Sequence, residues 1–115
     1  MLRALPACDA AVIERGDIQA AVRRDLVRPL ASTTACAAIQ DLRLERSPWG
    51  FRLHDIEGPI HIWHGDLDQN VDVASGIYQA NEITQATLHR LPDAGHWLVY
   101  SHFEDIVQHL TPTLP

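Results

Sequence analysis

Cysteine is scarce: Cys8 and Cys36 are the only two among 115 residues. They form neither a C-x-x-C spacing nor the dense framework that staples small secreted domains. A disulfide scaffold is therefore excluded, and both are expected to be free, small, buried residues. No apolar run approaches the ~20 residues that span a bilayer, so no membrane partner is expected. The stretch before Cys8, in "MLRALPACD", is too short for the apolar core of a secretion signal. A cytoplasmic location is the resulting expectation. Cations are few as well, 9 Lys plus Arg against 15 Asp plus Glu, for a formal charge of -6. That balance disfavours nucleic acid, whose binding draws on clustered positive charge. Blocks of one charge sign, internal repeats and low-complexity segments are missing too, as in an ordinary globular surface.

What is present is enough apolar material, 46% of residues, to build a modest core. The first half reads as helical. Ile18, Ala21, Val22 and Leu26 recur at helical spacing behind Asp17, a candidate N-cap, and Pro29 should end that helix. A second helix is expected to start near Ser32 to Thr34, with Ala35, Ala38, Ile39 and Leu42 on one face. "SPWG" at 47–50 then breaks the pattern, because Pro48 and Gly50 disfavour a continuing helix. Beyond it, Ile60 to Trp63 and Thr87 to Leu91 have the composition of short buried strands. Val73 to Ile83 and a stripe of Phe103, Ile106, Val107 and Leu110 have helical spacing. Strand, helix, strand, helix predicts an α/β fold with two parallel strands. The division falls between a helical segment, 1–48, and an α/β segment, 49–115.

In an open α/β sheet, reactive side chains gather beyond the carboxyl ends of the strands. "IWHGDLDQNV" at 62–71 sets Asp66 and Asp68 after the first strand, and "LPDAGHW" at 91–97 sets His96 after the second. An aspartate beside a histidine fixes the imidazole tautomer and stabilises the imidazolium while the histidine acts as a general base. The bland alternatives are a turn aspartate bonded to its own backbone and a satisfied histidine beside Trp97. A metal site is another alternative, since His61, His64, Asp66 and Asp68 lie close in sequence. Along an extended strand, however, His61 and His64 project to opposite faces. His54, His89, His102 and His109 read as scattered surface residues. Trp49, Trp63 and Trp97 read as packing anchors.

"PIHIWHGDLDQNV" followed by "ATLHRLPDAGHW" resembles the C-terminal part of the α/β-hydrolase fold family, in a bacterial type. Gly65, Asp68 and Val71 match the family's G-x-x-D-x-x-V, and Gly95-His96 matches its G-H. The resemblance implies a partial α/β-hydrolase fold, with 1–48 as cap-like helices and 49–115 as the last strands and helices of the core. It implies that Asp68, rather than Asp66, is the acid and that His96 is the base of a serine hydrolase acting on an ester, amide or similar acyl bond. No cofactor or metal is implied, and the partner is a small-molecule substrate. The two side chains are expected at hydrogen-bond distance, about 2.6–3.2 Å.

Two departures stand out. Asp72 occupies the position where the family often has proline. The nucleophile elbow, G-x-S-x-G, is absent, although the chain order serine, acid, histidine requires it upstream of Asp68. Ser32 and Ser47 lie upstream but lack the glycines and the flanking strand. The expectation is therefore a truncated form, inactive alone, with an incomplete triad. The alternatives are a non-catalytic or complementing subunit that docks onto a chain supplying the serine, and a metal-binding protein. An unpaired strand edge further predicts self-association.

Overall fold

The computed structural model describes residues 5–27 and 35–110. Two short helices come first, α1 (Ala7–Ile13) and α2 (Gly16–Val22), and α2 runs into a π-helical turn, Arg23–Val27. Asp17 is not the N-cap expected of it. Arg15 holds that position without a side-chain cap, and its guanidinium pairs with Asp17 at 2.8 Å. Pro29 and the hydroxyls of Ser32 to Thr34 lie outside the described residues. Helix α3 (Ala35–Glu45) follows, and Ile39, Leu42 and Leu44 on it are exposed. Ile39 and Leu42, expected on an apolar packed face, are thus uncovered.

The second half is mixed α/β. Strand β1 (Ile60–Gly65), helix α4 (Val73–Glu82), strand β2 (Ala86–Leu91) and helices α5 (Leu98–Ser101) and α6 (Phe103–Leu110) follow in order. The two strands pair in parallel, with Ile60 opposite Ala86 and Gly65 opposite Leu91. Asp72 has φ -63°, a value that proline also adopts, so the backbone here would accept either residue. The aspartate adds a cap: its carboxylate accepts the Ala74 N–H at 2.8 Å and satisfies one of the open donors of α4.

Side-chain alternation sends the two faces of the sheet to different helices. His64, on one face, is buried under α4, where a Cβ on Gly76 would come within 3.1 Å of its ring. His64 Nε2 hydrogen-bonds the Val71 carbonyl at 3.1 Å. The other face carries His61 and Trp63 from β1 and His89 from β2, and these rings meet His109 of α6. Trp63 stacks on His89 with centroids 4.2 Å apart, so Trp63 is the packing anchor expected. His89 and His109 are corrected by this arrangement, because they belong to a ring cluster and are not scattered. Trp49 is also corrected: it is exposed and tilts against Phe51 without a buried socket. The buried apolar set among the described residues is small: Val12, Ile18, Ile83 and Ala94.

Candidate functional site

Beyond the carboxyl ends of β1 and β2 the backbone forms two loops that are stitched together. The Asp66 N–H donates to the Leu91 carbonyl at 2.9 Å, and the Leu67 N–H donates to the Ala94 carbonyl at 3.0 Å. The loops come so close that a Cβ on Gly65 would overlap the Ala94 carbonyl. Glycine at the end of β1 is thus a packing requirement, and it is what brings the two loops face to face.

Within the first loop, the Asp68 N–H returns to the Gly65 carbonyl at 3.1 Å and closes a tight turn. One carboxylate oxygen of Asp68, Oδ1, accepts the N–H groups of Asn70 at 2.7 Å and Val71 at 3.0 Å. The other, Oδ2, lies 2.9 Å from His96 Nδ1. The bland reading of a turn aspartate therefore describes one oxygen, and the other reaches the histidine. The Asp68 side chain is only 7% exposed, against 41% for His96. Burial works against ionisation of Asp68, but the Val71 N–H, the His96 ring and the Asn70 N–H together outweigh it. They hold the carboxyl below its ordinary range. An ionised acceptor at Nδ1 requires the ring to carry its proton there, which leaves Nε2 as the bare, basic nitrogen. Among the described residues, nothing hydrogen-bonds Nε2.

Asp66 is turned elsewhere. Both of its oxygens take the Arg90 guanidinium, at 2.9 and 3.0 Å. With His61 in the ring cluster, His64 under α4 and Asp68 on His96, the four residues weighed as a metal site are dispersed. No group of three or more His, Cys, Asp or Glu among the described residues is arranged to hold a metal ion. Ser47 caps a helix end, its Oγ donating to the Arg43 carbonyl at 2.7 Å, and Ser32 lies outside the described residues. Cys8 is free and half-buried, less covered than expected.

One residue of the site escaped the sequence reading. Asp9, on α1, is 2% exposed and accepts the backbone N–H groups of His96 at 3.1 Å and Trp97 at 3.0 Å. Nothing local signals this, because an acidic residue in the first turn of a helix is ordinary. Beside His96, the rings of Trp97 and Tyr100 stack at 5.6 Å along a hollow of about 300 Å³. A larger cleft, about 550 Å³ and lined by Trp49, Phe51, Leu53 and Tyr78, touches neither Asp68 nor His96. No helix among the described residues is long and apolar enough to cross a membrane. Comparison of the chain with protein-family models, with curated proteins and with solved structures found no match.

Proposed function

We propose that this chain carries the acid and base of a serine hydrolase of the α/β-hydrolase type, with Asp68 as acid and His96 as base. The observation that supports this reading is the 2.9 Å contact between Asp68 Oδ2 and His96 Nδ1 on the carboxyl edge of a parallel sheet. The buried carboxylate orients the ring, and Nε2 remains free to take a proton. In the reaction, Nε2 accepts the proton of a serine hydroxyl as its oxygen attacks the carbonyl carbon of an ester, amide or similar acyl compound. The imidazolium then returns that proton to the leaving group, and Asp68 offsets its charge. Water releases the acyl group by the same route. The serine comes from a polypeptide segment with G-x-S-x-G, which this sequence does not contain.

Fluorophosphonate labelling tests the proposal. The chain alone stays unlabelled. Together with a longer form or a partner that carries G-x-S-x-G, label appears on that serine, and His96→Gln lowers its rate about 1,000-fold or more. Labelling of the chain alone that vanishes in Ser47→Ala would overturn the outside nucleophile. An undiminished rate in His96→Gln would overturn the base.

A further inference from the structure

The Asp9 carboxylate touches neither the Asp68 carboxylate nor the His96 ring, yet it is the most deeply buried polar side chain among the described residues. A carboxylate taken from water is costly unless its oxygens are satisfied. Here each oxygen accepts one N–H, and the two donors are consecutive residues, His96 and Trp97. Asparagine could satisfy only one of them, because its amide nitrogen would face the other N–H donor to donor. The fit is close on the far side too: a Cβ on Gly95 would overlap the same carboxylate. Gly95 is not among the glycines with positive φ, so close approach is the constraint that glycine meets there. Arg15, at the N-cap of α2, adds a second tie, its Nη1 donating to the Tyr100 carbonyl at 3.1 Å.

We infer that Asp9 is a positioning residue for His96: its carboxylate fixes the His96 and Trp97 backbone so that the imidazole meets Asp68. This rests on the reading of Asp68 and His96 as acid and base. It assigns to a helix some 87 positions away in sequence the task of aiming the base. Without it, the backbone hydrogen bonds that tie the loop after β2 to the loop after β1 are those at Leu91 and Ala94, which stop short of the histidine.

Two readouts on the full chain test the inference: amide exchange at His96 and Trp97, and the NMR signal of the His96 Nδ1 proton bonded to Asp68. In the wild type both amides are protected and the Nδ1 proton is seen. In Asp9→Asn at least one of the two amides exchanges roughly 10-fold faster or more, as expected for a lost hydrogen bond to a charged acceptor. The Nδ1 signal weakens or disappears, while amide protection between β1 and β2 is retained. Gly95→Ala, which displaces the carboxylate without changing its charge, gives the same pattern and serves if Asp9→Asn does not fold. Wild-type amides that exchange as fast as open loop would overturn the clamp. An unchanged Nδ1 signal in both variants would overturn positioning and leave the acid and base reading intact. Absence of that signal from the wild type would overturn the acid and base reading itself.

Discussion

Asp68 joins two jobs that are often separate. As a turn residue it accepts two backbone N–H groups, and as a partner it accepts a ring N–H. Its neighbour Asp66 differs by two positions and has the same chemistry, yet it binds an arginine on the adjacent strand. The difference is geometric: the turn closed by Gly65 aims position 68, not 66, across to the second loop. Asp68→Asn should therefore destabilise the fold by about 1–3 kcal/mol at neutral pH, because the Asn70 and Val71 N–H groups and the His96 ring lose a charged acceptor. A carboxyl whose folded pKa is depressed contributes stability above its unfolded value, near ~3.9, and loses it as pH falls through the lower folded value. The gap between wild type and variant should thus be steady above about pH 5 and close below about pH 3.9. Urea melts across that range measure it. A gap that is already gone at pH 5 would contradict the assigned hydrogen bonds.

At the scale of elements, the order strand, helix, strand, helix was legible because apolar runs, prolines and helical spacing are local signals. Strand ends moved by a residue or two, and a short helix that was not expected, α5, precedes the expected last helix, α6. The contact of Asp68 with His96 could be anticipated, since both follow strands that the topology makes neighbours. Contacts that cross the chain could not. Asp9 on the His96 loop and the rings of His61, Trp63, His89 and His109 depend on where α1 and α6 dock, which no local pattern encodes. The ring cluster carries its own prediction. Burial, then the neighbouring His109 and His61, holds the His89 pKa below the ordinary value. A histidine depressed in this way binds its proton more readily when unfolded, so stability falls as pH drops below about 6.5. His89→Phe, which keeps a ring against Trp63, should flatten that part of the stability profile. Equal slopes for wild type and variant between about pH 6.5 and 5 would show that the cluster does not resist protonation.

For the whole molecule the balance of surface and core is unusual. The accessible surface is 9135 Å², against about 6,300 Å² for a folded monomer of this size. The radius of gyration is 16.6 Å, against about 13 Å for a compact chain of this length. Leu42, Leu44, Phe51, Tyr78 and Phe103 lie on that excess surface, and among the described residues both strands keep one edge unpaired in a two-stranded sheet. Exposed apolar side chains and open edges template association. The chain at tens of micromolar should therefore self-associate or bind a hydrophobic dye, as read by light scattering and dye fluorescence. A dye-silent, monodisperse monomer would mean that this surface is covered in solution. The pair on the sheet edge is tested most directly by the tautomer of His96, read from the two imidazole nitrogens by ¹⁵N NMR near neutral pH. The expected result is a proton on Nδ1 and a bare Nε2, with that preference lost in Asp68→Asn. A ring protonated on Nε2, or a tautomer indifferent to Asp68, would contradict it.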